Sequence, residues 1–288
     1  MRKTIEKEKN KILQDLQKTG FASSHVYFLL DDEEIGMFEN NKHYFEKMKN
    51  SPQIKERSQR IREGNPIRDK GKYYEISQYE YLSRALTLDD ASLVELYLSE
   101  TFLDIAEQYL TQEPKIRNVL TWIHPENPNR SLTHSQLWHR DQEDDHNLRI
   151  WIYYSEIKKE NGALKYIKES SSGMKNSFLW PNIENKKWSI HGYLDQEAKN
   201  KIPIEDIIYA TGTIGTIFFV DTNGIHCGGS VESSDRMKSM ATYLKPSAYQ
   251  IVNGPLYNFN HNTEKVNNCD YFSEKYKKLK ERQKRLLK

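Results

Sequence analysis

The sequence has little cysteine, no long apolar run and almost no net charge. Its two cysteines, Cys227 and Cys269, are too few for the disulfide framework of a small secreted protein. No run approaches the roughly 18 consecutive apolar residues of a membrane span. The first residues, MRKTIEKEKNK, are charged where a secretory signal turns apolar. We therefore expect a protein of the reducing cytoplasm that has no membrane partner.

The charge balance argues against a nucleic-acid partner. The chain has 43 Lys and Arg residues against 41 Asp and Glu residues, which gives a net charge of +2. Such a balance produces no global field that would gather nucleic acid. The basic C-terminal segment, from about 265 to 288, is interpreted as a solvated tail or helix. We expect a small-molecule substrate, and the oligomeric state cannot be read from the sequence.

The 288 residues predict one domain with helices first and strands later. Up to about residue 112 the pattern is helical: residues 3–19 form one apolar stripe before Gly20, 31–63 a pair of helices, and 89–111 one long helix. The run HVYFLL at 25–30 predicts a short strand. From about 113 to 250, short alternating runs separated by turns predict the sheets of an α+β fold with a β-sandwich or barrel core.

The stretch LWHRDQEDDHN contains the His-Arg-Asp that opens the catalytic loop of protein kinases. A kinase loop needs Asn five residues after its Asp, and here His146 stands five residues after Asp141. The sequence also lacks an Asp-Phe-Gly segment and a Gly-rich phosphate loop. Nothing in the chain therefore supports a phosphoryl-transfer function.

A metal site is the better interpretation of the same stretch. Residues i and i+2 of an extended segment point to one side, so His139 and Asp141 can direct an imidazole and a carboxylate at one point. His226 ends the apolar run GTIGTIFFVDTNGIH at a Gly-rich corner. Two His and one carboxylate on one face of a metal leave its other positions open, as in non-heme Fe(II) oxygenases. We predict that these three residues are the metal ligands and the catalytic centre.

Arg236 is the candidate for binding an acidic co-substrate. It begins the strand-like run RMKSMATYL, ten residues after His226. A guanidinium grips a carboxylate through two parallel hydrogen bonds and stays charged when it is buried. This suits the far carboxylate of 2-oxoglutarate.

Neighbouring residues have less specific interpretations. Glu143, Asp144 and Asp145 predict a solvated acidic turn, and His146 an ordinary loop histidine. Arg149, Trp151 and Tyr153 alternate along the next strand and share one face, so they either line the cavity or pack in the core.

Five segments together resemble the phytanoyl-CoA dioxygenase family of Fe(II)/2-oxoglutarate oxygenases, over most of the chain. LQKTGF (16–21) is similar to the family's opening helix and Gly-Phe, and VLTWIHPENPN (119–129) to its strand and proline turn. QLWHRD (136–141) carries the family's His-x-Asp. ENGALKYIKESS (160–171) resembles its Asn-Gly-x-Leu strand, and GTIFFVDTNGIHCGGS (215–230) the Gly-led strand that ends in the distal His.

The resemblance implies a double-stranded β-helix core, a cupin-like jelly roll, with flanking N-terminal helices. It implies Fe(II) as cofactor, 2-oxoglutarate and O2 as co-substrates, and hydroxylation of a C–H bond of a small metabolite with release of succinate and CO2. The alternative is a jelly-roll module that binds metal or ligand without turnover.

The family's functional residues match this sequence with one departure. His139, Asp141 and His226 match the iron ligands, and Arg236 matches the 2-oxoglutarate clamp. However, SSDR at 233–236 also resembles an earlier family motif, which would leave Lys238 as the clamp. Arg236 is preferred because planar bidentate recognition favours arginine. Related halogenases replace the carboxylate ligand by a small residue, so Asp141 implies hydroxylation.

Overall fold

Helices occupy most of the first 110 residues, and most of the strand residues come after them. The computed structural model describes residues 2–64, 75–76, 82–85, 91–127, 134–141, 143–180, 202–248 and 281–286. The helices are α1 Arg2–Thr19, α2 Val26–Leu29, α3 Asp32–Asn50, α4 Pro52–Arg62, α5 Ala91–Tyr97, α6 Glu100–Leu110 and α7 Glu281–Leu286. The strands are β1 Phe21–His25, β2 Glu75–Ile76, β3 Leu82–Ala85, β4 Lys115–His124, β5 Leu148–Tyr153, β6 Lys165–Ile167, β7 Ile207–Tyr209, β8 Thr216–Asp221, β9 His226–Cys227 and β10 Arg236–Leu244.

The strands form two antiparallel sheets. The larger sheet has the order β1-β8-β5-β10-β4-β3-β2, and the smaller has the order β7-β6-β9. Strand β1 comes from the helical part of the chain and pairs with β8 at one edge. Helices and sheet are therefore interleaved along the sequence more than the simple division at residue 112 predicts.

The two faces of the larger sheet have different partners. On β5, Ile150 and Ile152 pack in the cluster that contains the helices, whereas Trp151 and Tyr153 pack with residues of the smaller sheet such as Tyr166. This follows from the two-residue repeat of a strand. The result is two facing sheets with helices on the outside, as the sequence predicts.

The helix ends use the capping chemistry that the sequence supplies. Asp31 forms a capping box with Glu34 at the start of α3, and Ser51 caps α4 with Pro52 at its first position. Gly20 ends α1 with a φ of +77°, and a Cβ at this position would collide with Tyr166. The predicted C-cap at Gly20 is confirmed.

Two element predictions are wrong. Within the run HVYFLL, residues 26–29 form helix α2, because β1 ends at His25 and the ring of His25 accepts a hydrogen bond from the backbone N–H of Tyr27. The predicted long helix is divided into α5 and α6, with Ser99 in an extended conformation between them. The carbonyl of Tyr97, at the end of α5, accepts a hydrogen bond of 2.6 Å from the hydroxyl of Tyr243 on β10. The carbonyl of Tyr97 thus finds its hydrogen-bond partner on β10, whereas in a continuous helix its partner would be a backbone N–H of the next turn.

The C-terminal helix α7 packs on α6 through ion pairs. Arg282 contacts the carboxylates of Glu100 at 2.6 Å and Asp104 at 2.7 Å, and also pairs with Glu107. Only 20% of the Arg282 side chain is exposed, so the interpretation of this segment as solvated is wrong for Arg282. The rest of the predicted tail, like the second half of the irregular stretch at 170–210, lies mostly outside the described residues. Within the described ranges, no helix combines the length and apolar character that crossing a bilayer requires.

Candidate metal centre and cavity

Two histidines from distant parts of the chain lie side by side. The backbone N–H of His139 donates to the carbonyl of His226 at 2.9 Å, and the N–H of His226 donates back at 2.9 Å. Because β9 also pairs with β6, this reciprocal bridge fixes the segment of His139 on the edge of the smaller sheet. The centroids of the two imidazole rings are 4.2 Å apart.

Both rings are oriented by a backbone carbonyl. The Nδ1 atom of His139 lies 2.8 Å from the carbonyl of Leu137, and Nδ1 of His226 lies 2.9 Å from the carbonyl of Gly224. A carbonyl only accepts, so each Nδ1 carries a proton and Nε2 is the ring atom that can serve as a metal ligand. This is how outer hydrogen bonds prepare histidines for metal binding.

Asp141 completes the cluster. Its backbone N–H donates to the carbonyl of Thr222 at 2.9 Å, which fixes the chain two residues after His139. Its carboxylate oxygens lie 3.9 Å from Nε2 of His139 and 3.7 Å from Nε2 of His226. One ligand atom from each of the three residues lies within 4.8 Å of the others. The structure therefore brings together the three residues that the sequence predicts as ligands.

The electrostatics keep this set in a metal-binding protonation state. Burial and the neighbouring His139 lower the pKa of His226 to about 3, so this imidazole is neutral at pH 7. Burial alone would raise the pKa of Asp141, but the charge of Arg149, together with the two histidines, lowers it to about 2. An ionised carboxylate beside the neutral imidazole of His226 suits a divalent cation.

The donor separations fit a metal ion. Bonds of about 2.1 Å at right angles require donors about 3 Å apart. Oδ1 of Asp141 is 3.9 Å from Nε2 of His139, Oδ2 is 3.7 Å from Nε2 of His226, and one ligand atom from each residue lies within 4.8 Å of the others. The side chains would therefore have to move together by about 1 to 2 Å to close around a cation. His139 and His226 also line the space between the sheets.

A cavity of about 170 Å³ lies between the two sheets, next to the histidines. It is lined by inward-facing residues of β4, β5 and β10 and by residues near the ligands, namely Asn118, Leu120, Trp122, His124, Ser135, Gln136, His139, Arg149, Trp151, Leu164, His226, Gly228, Arg236, Lys238 and Met240. The prediction that Arg149 and Trp151 line the cavity is confirmed. Tyr153 is instead buried in the core beside it.

Arg236 and Lys238 both face this cavity but have different partners. Arg236 is 5% exposed and donates from Nη1 to the carbonyl of Gly162. The ammonium of Lys238 lies over two indole rings, 4.9 Å from that of Trp122 and 5.8 Å from that of Trp151. Among the residues that the structure describes, no carboxylate pairs with Lys238. Burial, with the charges of Arg236 and Arg149, holds the pKa of Lys238 well below its ordinary value.

The strand register orders these cations along the barrel. Thr242 of β10 lies opposite Arg149, whose guanidinium is 2.8 Å from Asp141, so this end of the cavity is nearest the cluster. Lys238 lies opposite Tyr153, four residues along β10 from Thr242, and Arg236 is two residues farther from Thr242. At about 3.4 Å per residue, Lys238 is some 7 Å closer to the cluster along the strand.

Sequence reasoning missed the charged groups behind the cluster. Glu143, interpreted as part of a solvated turn, is only 8% exposed and pairs with Arg117 and with Arg149. Asp144 is buried as well, and only Asp145 is exposed. The sequence did contain a signal for this pairing. Arg117 and Arg149 alternate with apolar residues along strands, and Glu143 is a carboxylate that can pair with both.

Asp221 anchors the loop that carries Asp141. It is fully buried and accepts hydrogen bonds from the Tyr109 hydroxyl at 2.7 Å, from the backbone N–H of Asn147 at 3.0 Å and from that of Asn223 at 3.1 Å. The Nδ1 atom of His146 lies 2.8 Å from the same carboxylate, which raises the pKa of His146. His146 is therefore a structural partner of Asp221 rather than an ordinary loop histidine.

Solved structures share this architecture. The epimerase SnoN from nogalamycin biosynthesis, in complex with Fe3+, alpha ketoglutarate and nogalamycin RO, is 12% identical, with a TM-score of 0.53 over 83% of this chain and 84% of that chain. AviO1 from Streptomyces viridochromogenes Tue57 is 14% identical, with a TM-score of 0.54 over 85% and 98%. EctD from S. alaskensis, with 2-oxoglutarate and 5-hydroxyectoine, is 15% identical, with a TM-score of 0.55 over 82% and 75%. These likenesses confirm the predicted jelly-roll fold. Two of the three structures contain 2-oxoglutarate.

The sequence itself matches a family model. The chain has no match among curated proteins. The model of the phytanoyl-CoA dioxygenase (PhyH) family, in contrast, matches residues 53–239, which is more than half of the 288 residues. That region contains the three clustered candidate ligands and both candidate cations of β10. The resemblance read from the sequence is confirmed: the chain belongs to the phytanoyl-CoA dioxygenase family.

Proposed function

We propose that the protein is a non-heme Fe(II)- and 2-oxoglutarate-dependent oxygenase that hydroxylates a C–H bond of a small metabolite, with release of succinate and CO2. The observation that carries this proposal is the meeting of His139, Asp141 and His226, with ligand atoms within 4.8 Å of one another, at the wall of a cavity that contains buried cations. Family membership and the iron and 2-oxoglutarate in the structural relatives support it. The cytoplasmic location stays a prediction from composition.

The chain contributes geometry and electrostatics to this reaction. His139 and His226 present their Nε2 atoms and Asp141 an ionised carboxylate, so these three residues would hold the iron. Bound Fe(II) supplies the redox chemistry that couples oxidative decarboxylation of 2-oxoglutarate to oxidation of the substrate. The indoles of Trp122 and Trp151 and the side chains of Leu120 and Met240 form apolar walls that restrict water in the cavity.

The far carboxylate of 2-oxoglutarate is proposed to bind on β10, at the pair Arg236 and Lys238. Arg236 is the residue predicted from the sequence. Two structural observations favour Lys238 as the direct contact: it is nearer the cluster along the strand, and no described carboxylate neutralises it. Arg236 already donates to the carbonyl of Gly162, so its contribution would be a second, more distant positive charge.

The function is tested by binding and turnover of the co-substrate. Under anaerobic conditions, Fe(II) and 2-oxoglutarate added together to the metal-free protein should produce a weak visible charge-transfer band that neither produces alone. Admission of O2 should then yield succinate, even without the primary substrate. A folded protein that gives neither band nor succinate would contradict the proposal. A band without succinate would favour a binding module without turnover.

Substitution of Lys238 by Met should weaken 2-oxoglutarate binding by about 30- to 100-fold, because a buried charge-assisted contact is worth about 2–3 kcal/mol. The same substitution should change the affinity for 2-oxopentanoate little, since that acid lacks the far carboxylate. The measurement is titration of the charge-transfer band with each acid. The ratio of the affinities for 2-oxoglutarate and 2-oxopentanoate measures recognition of the far carboxylate. A general loss of structure would weaken the binding of both acids and leave this ratio unchanged.

Arg236→Met is the matched comparison. If Lys238 makes the direct contact, Arg236→Met should keep most of the preference for 2-oxoglutarate over 2-oxopentanoate. Loss of the preference in Arg236→Met, with retention in Lys238→Met, would assign the carboxylate to Arg236 instead.

A further inference from the structure

Arg149 lies directly against the carboxylate of Asp141. Its Nη2 atom is 2.8 Å from Oδ2 of Asp141 and 3.2 Å from Oε1 of Glu143. The contact with Asp141 is an ion pair rather than an aligned hydrogen bond, since Oδ2 accepts no hydrogen bond among the described residues. The exposed fractions of the three side chains are 20% for Arg149, 16% for Asp141 and 10% for Glu143, so solvent screens this contact weakly.

Glu143 contacts the same guanidinium nitrogen of Arg149 as Asp141 does. Its carboxylate also pairs with Arg117 of β4 and accepts a hydrogen bond of 3.2 Å from Nδ2 of Asn147. Arg149 itself belongs to β5, which lies between β8 and β10 in the larger sheet. The guanidinium is therefore fixed by a paired strand and a buried carboxylate, and it is not a surface side chain that happens to reach Asp141.

This position limits what Asp141 can offer a metal. A carboxylate binds a cation through one oxygen or through both, whereas a guanidinium stays protonated and has no acceptor atom. Two imidazoles and one carboxylate oxygen fill about three positions of an octahedral metal. Chelating 2-oxoglutarate and O2 need the remaining three, so a second oxygen from Asp141 would block one of them.

We propose that Arg149, held by Glu143, is a positioning residue that retains Oδ2 of Asp141 and so restricts Asp141 to one metal bond. This inference rests on the proposed function, because it assumes that Asp141 is a metal ligand. It adds to that function a role for Arg149 and Glu143, which is to keep a third metal position open for 2-oxoglutarate and O2.

The test counts water molecules on Mn(II), an oxygen-insensitive probe, by electron paramagnetic resonance line broadening in 17O-enriched water without 2-oxoglutarate. The wild-type protein should bind about three exchangeable waters on the metal. Arg149→Met should bind about two, because the freed Oδ2 becomes a second bond. Arg149→Lys, which retains a cation at this position, should restore the wild-type number.

Arg117→Met is the matched control, since Arg117 pairs with Glu143 but not with Asp141. It should keep the wild-type number of waters. An unchanged number in Arg149→Met, or two waters in the wild type, would overturn the inference and leave the proposed function intact. Failure of the wild-type protein to bind Mn(II) at this site would instead overturn both.

A structure of the wild-type protein with Mn(II) gives an answer that needs no variant. The inference requires Nη2 of Arg149 to stay within about 3 Å of Oδ2 while only Oδ1 bonds to the metal. Displacement of Arg149, with both oxygens on the metal, would refute it even if Arg149→Met proved unable to fold.

Discussion

Replacement of His226 by alanine is expected to abolish iron-dependent formation of succinate and to leave the jelly roll folded. His226 is 3% exposed, and its Nε2 is 3.7 Å from the carboxylate of Asp141. Without it, His139 and Asp141 alone would have to hold the metal. Metal-ion catalysis supplies several kcal/mol of stabilisation, so the rate should fall by about 1,000-fold or more.

The measurements are succinate formation and the charge-transfer band with Fe(II) and 2-oxoglutarate. Circular dichroism shows whether the sheets persist, since the backbone bridge between residues 139 and 226 needs no side chain. His146→Gln is the control, because His146 lies in the neighbouring loop but contacts Asp221. Full activity of His226→Ala would refute the assignment of this side chain as a ligand.

Replacement of Asp221 by asparagine is expected to have the largest effect on folding stability. Its fully buried carboxylate accepts hydrogen bonds from the Tyr109 hydroxyl and two backbone N–H groups, and contacts His146. An amide presents an N–H₂ group to one or more of these donors, which leaves buried groups unpaired. The free energy of unfolding should fall by about 3 kcal/mol at pH 7.

Urea denaturation measures this loss, and its pH dependence has a defined sign. Contact with Asp221 raises the pKa of His146 above 6.5, so the folded state binds the proton more tightly than the unfolded state. This part of the stabilisation is complete below the unfolded-state pKa and is lost as pH rises through the folded-state pKa. The difference between wild type and Asp221→Asn should therefore be smaller at pH 9 than at pH 6.

Glu56→Gln provides the comparison for Asp221→Asn. The Glu56 side chain is 65% exposed and pairs with Arg60 at the surface of α4. Surface ion pairs contribute about 1 kcal/mol or less, so this variant should remain close to wild type. A loss below about 1 kcal/mol in Asp221→Asn as well would show that the buried carboxylate does not anchor the loop.

Local patterns predicted most of the elements. Alternation gave the central strands, and Gly20 and the polar caps gave the helix ends, because these features depend on neighbours within a few residues. The pattern failed at residues 25–30, where sheet pairing of the preceding strand decided the conformation. It failed again at Ser99, where a hydroxyl from β10 satisfies the carbonyl of Tyr97. Such contacts join residues far apart in the chain and leave no local periodicity.

For the site, the sequence by itself determined the chemistry that is available: two imidazoles, a carboxylate two residues from one of them, and cations on a later strand. Tertiary structure alone decided which of these groups meet and which charges face them. The backbone bridge of His139 and His226 and the position of Lys238 nearer the cluster than Arg236 follow from strand pairing, and the contact of Glu143 with Arg149 follows from the loop before β5. Pairing depends on which strand faces are buried together, so no short segment of sequence determines it.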